Sequence, residues 1–265
     1  MTLYITPSYS YAAPLERWLR LRGLETLPAP PREALGLIQA NRASAGMVPL
    51  GSLIGMEDVR PCPGPMVYSE YSTLSVAIVS NTATRLRDCP RIAVTSETRT
   101  SILYLLAVLD ELGTETRVVP ASTHRYQELL GMALCALVIG DEALRAIASG
   151  AKIVADMGEL VRDVLGARPV YAATAAKKCP PGIAEPPWPK PSWEDALRTH
   201  KRTGLDPALS WLYHYELLKL GYDPAALSDA FSLLRDAVSE KPCLVPGSAI
   251  RKASRVPVRA GVGRG

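Results

Sequence analysis

The chain has 265 residues, 48% of them apolar and 21% charged, with a formal net charge of +4. This is enough apolar material for one large or two small domains and excludes a disordered or low-complexity chain. The charge excess is local: residues 247–265 hold Arg251, Lys252, Arg255, Arg259 and Arg264 and no acid, leaving 25 bases (30 less these 5) against 26 acids elsewhere, which argues against a nucleic-acid face within the fold.

The chain opens on a strand-like run, Leu3-Tyr4-Ile5. A helix is predicted over 14–22, with Leu15, Trp18 and Leu19 on one face and Gly23 as its stop. A second follows over 31–42, with proline in its first turn. Residues 45–48 read as a buried strand, and 67–80 contain a longer one over 74–79. A cleaner alternation comes next: strand 91–94, helix 99–112 closed by Gly113, strand 117–119, helix 125–130, strand 136–139, helix 143–148, strand 153–155, helix 158–165 and strand 169–172. Such alternation predicts mixed, mainly parallel sheets with helices on both faces, an α/β protein. Residues 179–191 are proline-dense and read as a stiff linker, followed by helices over 193–203, 208–220 and 225–239. Residues 247–265 read as a basic, solvated tail.

Cys62, Cys89, Cys135, Cys179 and Cys243 are odd in number and scattered, with no CxxC. That argues against a disulfide framework and against a zinc site. The amino-terminal segment has no basic and apolar pre-sequence, and no apolar run reaches the roughly 18 residues of a membrane span. The expected setting is the cytoplasm, with no membrane partner.

The segment 95–101, Thr-Ser-Glu-Thr-Arg-Thr-Ser, leaves a buried strand and opens a long helix. Ser96 or Thr98 can cap that helix. Open backbone N–H groups, the positive end of the dipole, the hydroxyls of Thr98, Thr100 and Ser101 and the Arg99 guanidinium suit a carboxylate or phosphate. Gly140 and Asp141 stand at another strand end that opens a helix, on the same expected rim. Tyr9, Ser10 and Tyr11 follow the first strand and offer rings with polar tips. His124, His200 and His214 are isolated and read as structural. No phosphate loop, dinucleotide fingerprint, zinc-protease or serine-hydrolase motif is present.

Residues 91–101, then 136–145 (Ala-Leu-Val-Ile-Gly-Asp-Glu-Ala-Leu-Arg), then Asp156-Met157-Gly158-Glu159 resemble, in order and spacing, the chorismate dehydratase family of menaquinone biosynthesis. That family shows S-R-T-S, then L-I-G-D-x-A-L, then D-L-G. Ser8 to Leu15 is similar to its S-Y-L-N-x-x-P-L, Ser44 to Pro49 to its D-V-A-L-V-P, and Leu74-Ser75-Val76 to its K-S-V element. The resemblance covers roughly residues 3–176. It implies a two-lobed fold of the type II periplasmic-binding-protein kind with a ligand cleft between the lobes. The expected first lobe is 1–79 plus 173–246 and the second 80–172, with crossings near Val79 and Ala172.

The implied activity is dehydration of chorismate to 3-[(1-carboxyvinyl)oxy]benzoate in the futalosine route, without metal or organic cofactor. Tyr9, Ser10, Ser75, Thr98, Arg99, Thr100, Ser101, Gly140 and Asp141 would bind the substrate. Tyr11 stands at the position of a family Asn and is the candidate catalytic residue. The chain departs from the family there, at Ser44, and at Glu97, where the family carries Ser. A tyrosine cannot reproduce the paired donor and acceptor of an amide. The alternative reading is therefore a non-catalytic binder or sensor of a small cyclic carboxylate on the same fold. The residues leave a monomer and a homodimer equally open.

Overall fold

A computed structural model describes residues 2–95 and 97–240. Ser96, Cys243 and the basic segment 247–265 lie outside the described residues, and with them the expectations placed there.

The strands form two mixed sheets. They are β1 (Leu3–Pro7), β2 (Glu25–Ala29), β3 (Ala45–Pro49), β4 (Arg60–Tyr68), β5 (Val76–Ser80), β6 (Arg91–Thr95), β7 (Arg117–Ala121), β8 (Cys135–Ile139), β9 (Lys152–Asp156), β10 (Val170–Ala176) and β11 (Lys219–Gly221). The first sheet runs β11-β4-β10-β3-β1-β2 and the second β7-β6-β8-β5-β9. Each sheet is flanked by helices. α1 (Ala13–Leu21) and α2 (Pro31–Gln39) belong to the first lobe; α3 (Ser101–Glu111), α4 (Tyr126–Met132), α5 (Gly140–Ala148) and α6 (Met157–Leu165) to the second. α7 (Trp193–Thr203), α8 (Pro207–Leu212) and α9 (Pro224–Glu240) follow the linker. Among the described residues no helix is long and apolar enough to cross a membrane.

The local reasons are ordinary ones. β5 and β8 are near-continuous apolar runs because both of their faces are covered. In α1, Leu15, Trp18 and Leu19 recur at helical spacing and are buried. Each such side chain contributes about 1.5–3 kcal/mol on leaving water.

Four sequence expectations need correction. First, the pairing is not mainly parallel. β1 pairs in parallel with β2 and β3, and β6 with β7 and β8. Every pair made by β5 or β10, and β4 with β11, is antiparallel. A strand that has crossed between lobes enters its new sheet from the opposite end. Second, the crossings fall earlier than Val79 and Ala172, because β5 already belongs to the second sheet and β10 to the first. Apolar runs on both sides of each crossing are equally buried, so hydropathy does not say which sheet receives them. Third, β2, β4 and β11 were not foreseen. β2 is a largely exposed edge. β4 carries Pro61, Pro63 and Pro65, and its ladder with β10 skips over residues 62–65. The helix expected over 208–220 ends as α8, continues as a π-type turn over Tyr213–Leu217 and gives way to β11.

The fourth correction concerns cysteine. Cys62 is bonded to Cys179 and Cys89 to Cys135, with Cα atoms 5.5 and 5.7 Å apart, inside the usual span of a bridge. Spacing in sequence hid both pairs. Cys62 lies in β4 and Cys179 just past its neighbour β10. Cys135 sits opposite Ile92 in the β6–β8 ladder, three residues from Cys89.

His214 is buried beneath α7, its Nε2 2.8 Å from the Thr199 hydroxyl. Burial pushes its imidazole down to about 4, against weaker upward pulls from Asp195 and Asp141. Between about pH 6.5 and pH 4 the unfolded chain therefore binds a proton that the folded chain refuses. Stability is full above that window and falls as pH drops through it, by about 2 kcal/mol from pH 7.5 to pH 5. Urea unfolding at the two pH values should show this loss, and His214→Gln should flatten it; an equal slope in both proteins would exclude His214 as the source.

Candidate functional site in the interlobe cleft

The carboxyl-side ends of β1 and β6 face each other across the cleft. Turns after these strands, the opening of α5 and the crossing segment 69–75 supply its walls. Tyr9, Tyr11, Ser75, Arg99, Thr100, Ser101 and Gly140 all line one inner cavity, together with Glu97, Tyr171, Pro31, Val67 and Leu218. Seven of the ten residues singled out from sequence thus converge, from segments more than a hundred residues apart.

α3 begins at Ser101, two residues later than expected. Thr100 occupies the N-cap position without a side-chain capping bond. Its Oγ1 instead donates to the Tyr171 carbonyl at 2.7 Å and accepts from Gly51 N–H at 3.0 Å, which ties the two lobes. Thr100 thus leaves the Ser101 and Ile102 N–H groups of α3 without a side-chain cap beside the cavity, while Leu103 N–H turns back to the Thr100 carbonyl. Arg99 is half-buried on the same turn, and its guanidinium makes no ion pair or hydrogen bond with any described residue. Gly140 opens α5 at φ 59°, and a Cβ there would stand 2.8 Å from the Tyr9 ring. Only glycine allows that conformation and that close approach together.

Three expected site residues do other work. Thr98 is 2% exposed and donates its hydroxyl to the Thr95 carbonyl rather than capping α3. Ser10 donates both its N–H (2.9 Å) and its hydroxyl (2.7 Å) to Asp141 Oδ1. Asp141 Oδ2 lies 2.7 Å from Arg202 of α7, whose guanidinium also reaches the Ser8 carbonyl at 2.9 Å. Asp141 is therefore an interlobe clasp at the wall of an outer cavity, not a ligand contact of the inner one. Its carboxylate is engaged by protein groups that sequence could not pair with it, Oδ1 by the Ser10 hydrogen bonds and Oδ2 by the Arg202 ion pair alone.

Burial pushes the Tyr11 phenol well above its ordinary value, with Tyr213, Tyr9, Asp141 and Tyr4 adding to the effect. Tyr9 is raised in the same way, by burial first, then by Glu97 and Asp141, with Arg32 opposing. Both phenols are neutral at ordinary pH, so they can donate a hydrogen bond but cannot serve as bases.

Arg32 and Tyr171 were not identified from sequence as site components, and Glu97 was noted only as a departure from the family pattern within the segment 95–101. Arg32 of α2 forms an ion pair with Glu97 Oε1 across the cleft. Nothing in the spacing of residues 31–39 marks Arg32. Tyr171 is one of seven buried residues in β10, and only the sheet shows that its backbone reaches the cavity.

The inner cavity measures about 60 Å³ and the outer about 330 Å³, and they meet at Tyr9, Pro31, Glu97 and Ile139. Small-molecule sites usually span about 300–1,000 Å³. A ring-sized ligand must therefore part the lobes or take in the outer cavity, and the Arg32–Glu97 pair stands where the two spaces join.

The family model described as menaquinone biosynthesis matches residues 59–185. No curated protein matches the chain in sequence. Among solved structures, the alkanesulfonate-binding protein SsuA of Xanthomonas axonopodis bound to MOPS is similar at TM-score 0.65 and 14% identity, over 92% of this chain and 94% of that one. The periplasmic aliphatic sulphonate binding protein SsuA of Escherichia coli is similar at 0.63 and 14%, over 99% and 94%. Protein AF1704 of Archaeoglobus fulgidus is similar at 0.61 and 13%, over 91% and 97%. At these identities the likeness is one of fold: the chain has the periplasmic-binding-protein architecture.

Proposed function

We propose that this chain, whose residues 59–185 match the menaquinone biosynthesis family model, dehydrates chorismate to 3-[(1-carboxyvinyl)oxy]benzoate. One observation supports this most: Arg99, whose guanidinium has no ion pair or hydrogen bond among the described residues, lines a mostly apolar cavity beside the start of α3, where Thr100 makes no side-chain cap. A cation so placed calls for an anionic ligand, and an apolar wall of tyrosine, proline and valine suits a ring.

The chemistry asks little of the protein. Breaking one ring C–H bond and the neighbouring C–OH bond releases water and leaves a benzene ring, so aromatisation drives the step. Arg99 and the α3 N–H groups would hold a ring carboxylate. Tyr9 and Tyr11 would donate hydrogen bonds and exclude water. A carboxylate of the substrate itself could take the ring proton, since the cavity's phenols are neutral. The reading carries with it a cytoplasmic setting, where disulfides persist mainly in hyperthermophiles.

The test is incubation of pure protein with chorismate and detection of the aromatic product. No product under conditions where a family enzyme turns over would reject the dehydration. Arg99→Ala is expected to weaken chorismate binding about 10- to 100-fold, the worth of a hydrogen-bonded charge pair, with the melting temperature unchanged. Unaltered affinity in calorimetry would place Arg99 outside the binding contact. A second reading, a binder of a cyclic carboxylate without turnover, is favoured by Tyr11 and Glu97, neither of which matches the family pattern. It predicts ligand-induced stabilisation with no product.

A further inference from the structure

Glu97 Oε1 is held by Arg32, but Glu97 Oε2 is buried and has no hydrogen-bond partner among the described residues. The Glu97 side chain is 12% exposed and lines both cavities. A buried carboxylate oxygen left without a donor carries a cost of about 1–3 kcal/mol or more. That cost is removed if a donor arrives with the ligand. Two residues along the same turn, Arg99 offers a cation unpaired among the described residues, and it lines the same inner cavity as Glu97. The turn thus presents one site for a carboxylate and one for a hydrogen-bond donor.

We propose that Glu97 is a specificity-determining residue whose free oxygen accepts a hydrogen bond from a ring hydroxyl, so that the cleft selects hydroxylated cyclic carboxylates over their unhydroxylated counterparts. This rests on the reading of the cleft as a carboxylate site, and it does not depend on turnover. The contact is one of binding: a hydroxyl that donates to a carboxylate gains no help in leaving. Arg32 offsets the Glu97 charge through Oε1, which makes a carboxylate tolerable beside an anionic ligand; the Glu97 backbone turn, not Arg32, sets where the free oxygen stands.

The experiment is calorimetric titration of the full chain with chorismate, which carries a ring hydroxyl, and with 3-[(1-carboxyvinyl)oxy]benzoate, which has lost it. The wild type should bind chorismate at least 10-fold more tightly. Glu97→Ala should bring the two affinities within about threefold, because a hydrogen bond to a charged group is worth about 1.5–3 kcal/mol. Arg32→Ala breaks the same ion pair but leaves the acceptor, so it should retain most of the preference; melting curves check that both variants are folded. A preference unchanged in Glu97→Ala, or lost equally in Arg32→Ala, overturns the proposal. Retained preference without product supports it while rejecting the dehydration. Failure to bind either compound overturns both.

Discussion

Replacing Cys62 and Cys179 by serine is expected to lower the melting temperature by about 10 °C. The bridge closes a loop of 117 residues and its companion, Cys89–Cys135, one of 46. Restricting the unfolded chain over such lengths is worth roughly 5 and 4 kcal/mol in the chain-entropy model, and losses of about 2–5 kcal/mol are usual when native bridges are removed. At roughly 2–4 °C per kcal/mol for a chain of this size, either bridge matters. Thermal scans with and without reductant, on the parent and on each serine pair, read the effect. The denatured, unreduced protein should expose one reactive thiol, the five cysteines of the chain less the four paired. Five thiols and no response to reductant would refute the pairing. The first bridge also ties β4 to the end of β10, the strands that bring Val67 and Tyr171 to the cavity, so its loss should loosen ligand binding as well.

Asp156→Ala is expected to cost about 4 kcal/mol and to uncouple the lobes. Asp156 Oδ1 accepts from Thr73 N–H at 2.9 Å, Gly158 N–H at 2.7 Å and Glu159 N–H at 3.4 Å, and Oδ2 accepts from Leu74 N–H at 2.6 Å. One side chain therefore caps α6 and pins the crossing segment between β4 and β5. Without it, several buried N–H groups lose their partner, at about 1–3 kcal/mol each. Burial raises the Asp156 carboxyl, with the four backbone donors opposing. The stabilising contribution from that shift is present at low pH and is lost as pH rises through the folded value, so the alanine variant should lose least stability, relative to the parent, at high pH. Asp156→Asn should recover part of the loss only, because its NH2 would face a backbone N–H. Gly158 belongs to the same joint: a Cβ there would overlap the Tyr71 carbonyl oxygen. Denaturant unfolding measures the stability, and chorismate titration measures whether the crossing segment, which carries Ser75 to the inner cavity, still supports binding. A stable Asp156→Ala variant with unchanged affinity would remove this residue from the hinge.

The Asp-x-Gly pair also shows what a sequence resemblance can hide. It was one of the motifs that carried the resemblance, yet it lines neither the inner nor the outer cavity and works through backbone donors. Asp141 behaves similarly, as a clasp between Ser10 and Arg202. Acidic residues at helix starts look alike in sequence whether they meet a ligand, a hinge or another lobe, because in each case the local need is an acceptor near open N–H groups.

What the sequence determined by itself was the α/β alternation and the strand-end turns that carry Tyr9, Tyr11, Arg99 to Ser101 and Gly140, since these are local features of the chain; the two lobes were implied by the order and spacing of the motifs that resemble the family. Tertiary structure alone decided which strands each sheet received, which cysteines met and which polar groups were already paired. Those outcomes depend on contacts between residues far apart in the chain, and no local pattern encodes them. The same distinction separates Arg99 from Glu97: the cation could be read from its turn, whereas the buried, unpartnered acceptor of a residue that lines both cavities became visible only once Arg32 had arrived from the other lobe to take its companion oxygen.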